Sequence, residues 1–287
     1  MQIPSPIEEF QFNNHKFKVK RDDLIDPFIS GNKWRKLNYQ LAEATRLKKN
    51  HIVTFGGAFS NHLLATAAAG AKFKFKTTAI VRGEKVDNEI LFFCALFGMN
   101  LIFVDRTTYK DKENLFEKLF SEDPSAYFID EGGAGALGQQ GCEDIIHEIN
   151  LPISNVFCAA GTGTTAIGIL KTLQSKYPES ILHIIPVLKN LKLETQILNS
   201  IPDAKNYIIH EDYHFGGYAK TTPQLLNFIK KFTSTTGLII DPIYTGKMFF
   251  AMFNLIEEQK VKYDENFVAI HTGGALGSLG MRNKFDF

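Results

Sequence analysis

The chain has 287 residues, 44% of them hydrophobic and 22% charged, with a net charge of +1. That size and balance suit a globular protein with one large core or two modest ones. Near-neutral charge with dispersed lysines excludes an electrostatic case for nucleic acid or acidic membranes, and no apolar run reaches the length of a membrane span.

The first residues, MQIPSPIEEF, lack the basic-then-apolar layout of a secretory signal. Cys94, Cys142 and Cys158 are odd in number and far apart, so they fit neither a zinc spacing nor a disulfide framework. Reduced thiols in a cytoplasmic protein are the expectation. Next comes SGNKWRKL, Ser30 to Leu37, ahead of a helical pattern through Leu41 and Ala44. Gly31 and Asn32 supply a turn and an N-cap, which puts Lys33 in the first helical turn. The helix dipole disfavours a cation there. Either the side chain reaches out to water, or the lysine is kept neutral and acts as a nucleophile toward carbonyls.

From residue 50 short apolar runs alternate with helical ones. Strands are expected at His51–Phe55, Thr77–Val81, Leu101–Val104, Ala126–Ile129, Asn155–Ala160, Leu182–Val187, Asn206–His210, Gly237–Ile240 and Asn266–Ile270. Helices are expected at Asn61–Phe73, Glu89–Phe97, Lys110–Phe120, Thr164–Leu173, Gln224–Phe232 and Gly246–Gln259. Apolar runs without strict alternation imply strands buried on both faces, hence parallel sheets with helices on either side. The two strand–helix series suggest two lobes with a cleft between them.

Ligands of open parallel sheets bind beyond the carboxyl ends of the strands. Four small-residue clusters lie there. TFGGAFSNH brings Ser60, Asn61 and His62 to a helix start, either as a plain cap or as a carboxylate or phosphate site. AAGTGTTAIG places Gly161, Thr162, Gly163, Thr164 and Thr165 at the next, as a phosphate cradle or a glycine-rich turn. It lacks the Walker lysine, and Ala166 stands where G-x-G-x-x-G has its last glycine. DPIYTGK sets Tyr244 and Thr245 at a turn, with Tyr244 facing the cleft or half buried. AIHTGG sets His271 and Thr272 at a strand end, where His271 alone reads as a satisfied strand-end histidine. Together these clusters suggest a shared ligand with a phosphate and a carboxylate. With a lysine at an electropositive helix start, a phosphate-bearing aldehyde answers both features, and pyridoxal phosphate is that compound.

In order and spacing, GNKWRKL, GGAFSNH, DEGGAGALGQQG, GTGTT, DPIYTGK and HTGG resemble the 1-aminocyclopropane-1-carboxylate deaminase and D-cysteine desulfhydrase family. The resemblance runs from Lys20 to Gly274. It implies an α/β fold of the tryptophan-synthase β type, that is pyridoxal phosphate fold type II: two open α/β domains with the cofactor between them. Residues 1–35 and 135–287 would form the larger domain and 36–134 the smaller, inserted one. It implies Lys33 as the Schiff-base lysine, with Ser60 and Tyr244 as further catalytic groups. Ser60, Asn61, His62 and Tyr218 would meet the substrate, with Tyr213 as the competitor of Tyr218. Asn61, the Gly161–Thr165 loop, Tyr244, Thr245 and Thr272 would hold the cofactor, Thr245 facing the pyridine nitrogen. It also implies a small amino acid as substrate and a homodimer, and the sequence shows no evident metal site.

Within the resemblance, Thr245, Thr272 and the reading SNH fit the desulfhydrase branch. The deaminases carry glutamate, leucine and SNQ at these places. The expectation is β-elimination of D-cysteine to pyruvate, ammonia and sulfide. Opening of 1-aminocyclopropane-1-carboxylate to 2-oxobutyrate and ammonia, or a related D-amino-acid lyase activity, is the alternative, and a binding protein without turnover the rival from another class.

Overall fold

The computed structural model describes residues 1–189 and 192–286. Among them the strands form two sheets. The chain opens with a hairpin of β1 (Ile7–Phe12) and β2 (His15–Lys20). Its two-residue turn, Asn13 and Asn14, has φ of 47° and 64°, the left-handed conformation such turns require. Beyond β2 the larger sheet continues through β10 (Phe267–Ile270), β7 (Asn155–Ala160), β8 (Ile181–Pro186) and β9 (Tyr207–Ile209), all parallel. The smaller sheet is wholly parallel, in the order β5 (Asn100–Val104), β4 (Lys76–Arg82), β3 (His51–Gly57), β6 (Ala126–Ile129).

The helices are α1 (Asn32–Arg46), α2 (Asn61–Phe73), α3 (Glu89–Leu96), α4 (Lys112–Phe120), α5 (Ala136–His147), α6 (Thr164–Lys176), α7 (Leu193–Ser200), α8 (Pro223–Thr236) and α9 (Thr245–Glu257). Helices cover both faces of the larger sheet. Along β7, Phe157 and Ala159 point into one cluster, where Phe12, Phe17, Phe232, Phe249 and Phe267 pack. Val156, Cys158 and Ala160 point into the other, with Ile145, Ile169 and Leu170. Every residue of β7 is buried, which is why its sequence shows no alternation.

Three local expectations change. Gly237–Ile240 is not a strand: it pairs with no neighbour, and the carbonyl of Ile239 is taken by His271 Nε2 at 2.8 Å. Asn32 is not the N-cap of α1. Gly31 caps it, with φ 62°, and a β-carbon there would lie 1.8 Å from the Thr272 carbonyl oxygen. Only glycine permits that approach. Finally β1, β2, α5 and α7 are present where no element was expected. In α5 the glycines that weaken the helical signal are packing devices. A β-carbon at Gly141 would fall 1.8 Å from the carbonyl oxygen of Arg35 in α1.

A buried ionic cluster fixes α1. Arg35 donates to Asp22 from Nε at 3.1 Å and Nη2 at 2.8 Å, and to Glu148 from Nη1 at 2.5 Å and Nη2 at 2.8 Å. Lys20 Nζ adds a bond to Glu148 at 2.6 Å and one to the Ser5 carbonyl at 2.6 Å, while Ser5 Oγ donates to Asp22 at 2.6 Å. Lys20, Asp22 and Arg35 are buried. A buried pair is tolerated only when its hydrogen bonds are complete, and removing one partner strands the others. Arg35→Leu is therefore expected to cost about 3–5 kcal/mol of stability, read from the urea midpoint. An unchanged midpoint would refute this account of α1.

Candidate active site

The strand ends of both sheets open onto a cleft of about 1170 Å³, joined by a smaller cavity of about 130 Å³. Asn32, Lys33, Asn61 and Tyr244 line both and form the waist between them. Ser60, His62, Tyr218, Gly161, Thr162, Gly163 and Thr165 line the larger space, and Thr272 the smaller. Most of the expected residues thus converge from distant parts of the chain.

The four helix starts differ in what remains free. At α9, Asp241 accepts from the N–H groups of Ile243, Tyr244 and Thr245 at 2.8, 2.9 and 2.8 Å. It also accepts from the Thr245 hydroxyl at 2.7 Å. That terminus is closed by its own buried carboxylate. Thr245 lines neither cavity and its hydroxyl is bonded to Asp241, whereas Thr272 lines the smaller cavity. At α1, the Asn32 N–H donates to the Thr272 carbonyl at 3.3 Å.

By contrast α2 and α6 are open. Ser60 makes no capping bond, and the side chains of Ser60 and Asn61 have no hydrogen bond among the described residues. The helix begins at Asn61, so its first N–H groups lack acceptors within it. At α6 the first N–H groups likewise lack acceptors within the helix, and its first turn holds no acid. Of the loop hydroxyls, Thr165 accepts from Asn32 Nδ2 at 2.9 Å, while Thr162 and Thr164 lie 3.1 Å apart. Thr164 is buried and lines neither cavity.

Two lysines stand over this space. Lys33 and Lys36, three residues apart on α1, face the same side. Neither makes a hydrogen bond or ion pair among the described residues. Burial, and then the like charge of Lys36, holds the Lys33 ammonium well below the usual lysine range. Lys36 is only 3% exposed, and burial lowers it too. A buried cation without an acid is costly unless an anion arrives. Sequence reasoning passed over Lys36, although its i+3 spacing from Lys33 was visible. It also passed over Asp241, whose capping role needs the turn geometry.

Tyr244 packs on the loop: a β-carbon at Gly161 would lie 3.2 Å from its Cε1. Its ring centroid is 6.2 Å from that of Tyr218, at 72°. Burial first, and then Tyr218, raises the Tyr244 phenol well above its ordinary value, so it stays protonated. Tyr218, not Tyr213, reaches the cleft. Tyr213 donates to Asn254 at 2.7 Å and packs with Phe250 in the core. Lys247, buried under the loop before Tyr218, donates to the carbonyls of His214 and Gly217 at 2.8 Å each. His271 is a satisfied strand-end histidine, bonded to Ile239 O and Gly273 N.

The donor set is that of a phosphate site: an open helix start, small residues that let the backbone approach, and an unpaired buried cation. Beside it stands a lysine whose amine is neutral enough to attack an aldehyde. A family model described as pyridoxal-phosphate dependent enzyme matches residues 2–273. The chain belongs to that family. A bifunctional D-cysteine desulfhydrase/1-aminocyclopropane-1-carboxylate deaminase from Arabidopsis thaliana is 29% identical, covering 96% of this chain and 77% of its own. A protein from Thermotoga maritima called a putative 1-aminocyclopropane-1-carboxylate deaminase is 31% identical, over 96% and 93%. The solved structure of a 1-aminocyclopropane-1-carboxylate deaminase homologue superposes with a TM-score of 0.87 at 26% identity, over 98% and 92%. The fold is therefore tryptophan-synthase β-like, and the protein is a pyridoxal phosphate enzyme of the deaminase/desulfhydrase type. No helix among the described residues is long and apolar enough to cross a membrane.

The lowered Lys33 amine gives a pH prediction. Pyridoxal, trapped with cyanoborohydride near pH 7, is expected on Lys33 ahead of the exposed lysines, as located by peptide mass. Lys36→Met removes the like charge, raises the Lys33 pKa and moves the inflection of capture to higher pH. An inflection that stays put, or falls, contradicts the coupling.

Proposed function

We propose that this enzyme eliminates sulfide from D-cysteine to give pyruvate and ammonia. Pyridoxal phosphate, when bound, supplies an aldehyde for amines and an electron sink for charge developing at the substrate α-carbon. The chain's own residues do the rest. The open start of α6 and Lys36 would hold the phosphate. The open start of α2, with the free side chains of Ser60 and Asn61, would hold the substrate carboxylate. Lys33, whose lowered pKa keeps Nζ neutral and available as a base, would take the α-proton. The Cβ–S bond then breaks and its electron pair leaves with sulfide. Water completes the conversion of the remaining three-carbon fragment to pyruvate and ammonia. Tyr244 and Tyr218 wall the cleft from solvent as neutral phenols.

The observation that carries the choice of substrate is the wall of the small cavity. A hydroxyl, Thr272, stands there. The one carboxylate on that wall, Asp23, is closed by Arg21, whose Nε and Nη2 reach it at 2.9 and 2.8 Å. Among the described residues that line this cavity no acid is left free to hold a proton on a ring nitrogen, so the sink would be a weak one. A weak sink suffices for a good leaving group such as thiolate and is poorly matched to a cyclopropane carbon.

The test offers equal D-cysteine and 1-aminocyclopropane-1-carboxylate to the loaded enzyme and identifies the 2-oxo acid by mass. Pyruvate is the expected product. A predominance of 2-oxobutyrate would overturn the role given to Thr272. Lys33→Ala is expected to lower turnover by at least about a hundredfold, the usual contribution of a positioned base. Full turnover in that variant would remove Lys33 from the chemistry.

A further inference from the structure

His62, the second residue of α2, is 1% exposed and lines the cleft. Its Nε2 lies 2.8 Å from Thr54 Oγ1. That hydroxyl lies 2.8 Å from the carbonyl oxygen of Ile129, across the β3–β6 pair. A carbonyl only accepts, so the single Thr54 proton goes to Ile129. The Thr54 oxygen must then accept from His62, which places the imidazole proton on Nε2. Nδ1 is left as a bare lone pair, buried and without a partner. Protonation offers no escape, because burial and the charges of Lys33 and Lys36 hold the ring neutral.

The stem of a matching donor, Lys36, is close by, although its Nζ makes no hydrogen bond to Nδ1 in this structure. A β-carbon built on Gly133 would lie 3.0 Å from Lys36 Cβ, 3.5 Å from Lys36 Cδ and 3.5 Å from His62 Cε1. The stem of Lys36 and the edge of the imidazole thus converge on one glycine. Lys36 is a buried cation with three N–H groups and no partner among the described residues. An unpaired acceptor and an unpaired donor, both buried, share one wall of the cleft.

We propose that His62 is a positioning residue for Lys36: its bare Nδ1 accepts one ammonium N–H and leaves the other two directed at the phosphate site. The proposal rests on the reading of Lys36 as the phosphate cation. The Thr54–Ile129 relay sets the tautomer, and the tautomer makes the ring an acceptor where a donor would repel the lysine. His62 then acts on affinity for the phosphate and not on carbonyl capture.

The experiment compares affinities for pyridoxal phosphate and pyridoxal, read by absorbance titration. His62→Leu is expected to weaken pyridoxal phosphate about tenfold, the scale of one hydrogen bond to a charged group, and to leave pyridoxal unchanged. His62→Gln, whose amide offers an N–H to Thr54 and an oxygen to Lys36, is expected to restore the ratio. In a Lys36→Met background, His62→Leu should add nothing. An unchanged ratio in His62→Leu, or an equal loss for both ligands, overturns the proposal. So does a shift in the pH of pyridoxal capture without a change in ratio, which would assign His62 to Lys33. If Lys36→Met itself leaves the ratio intact, the phosphate reading has failed, a result distinct from the others. Nitrogen-15 NMR of the unsubstituted protein tests the tautomer without any variant: a proton on Nδ1 overturns the proposal.

Discussion

The site depends on where α1 sits, and the Arg35 cluster decides that. Arg35 ties the second turn of chemistry-bearing helix to Asp22, just before it, and to Glu148, beyond the far end of α5. Gly141 lets the two helices meet backbone to backbone, at the carbonyl of Arg35 itself, so the same residue sets their spacing. Arg35 points one way, into the cluster, while Lys33 and Lys36 point another, into the cleft. A cluster this polar would be a poor way merely to add stability, since apolar packing of the same volume does as well. Its geometry is what matters. A fork of donors held by two carboxylates fixes the rotation of the helix, and that rotation aims both lysines.

Around those lysines the fold withholds anions. The carboxylates buried beneath the site are already committed, Asp241 to the start of α9 and Asp22 and Glu148 to Arg35, as is Asp23 to Arg21, while Glu84, Asp105 and Glu131 line the cleft on the side of the smaller sheet. Two helix starts, α2 and α6, keep their N–H groups free. The result is a cleft whose uncompensated field is positive at two separated places. A ligand with a phosphate at one end and a partner with a carboxylate at the other relieves both. Burial first, and then the like charge of Lys36, lowers Lys33, so the cation beside it adds to the reactivity of its amine.

His62 shows how far this arrangement extends. Its neutrality follows from burial, its tautomer from a threonine on β3 whose proton is held by a carbonyl on β6. Under the role proposed for His62, the smaller sheet acts on the phosphate site through the protonation pattern of one ring, although the Gly161–Thr165 loop belongs to the larger sheet.

Much of this was legible in the sequence. Runs such as Asn155–Ala160 and Ala126–Ile129 announce strands buried on both faces, because burial on both sides removes alternation. The small-residue clusters after them announce helix starts that a ligand can approach. Order and spacing of those clusters carry the family. Other features required the chain to be folded. Gly141 reads as a weak helix former until Arg35 is seen against it. Gly237–Ile240 has the composition of a strand but no neighbour to pair with. Thr245 and Thr272 look alike on the page, both hydroxyls at strand ends. Only the turn made by Asp241 shows that the first is spent inside its own cap and the second faces the cavity. Local propensity and pattern are properties of neighbouring residues, so the sequence by itself determined the elements and the family. Which helix start is open depends on the turn geometry before it, and which lysine lacks a counterion and which ring nitrogen is bare depend on groups distant in sequence or across a sheet, so only the tertiary structure decided them.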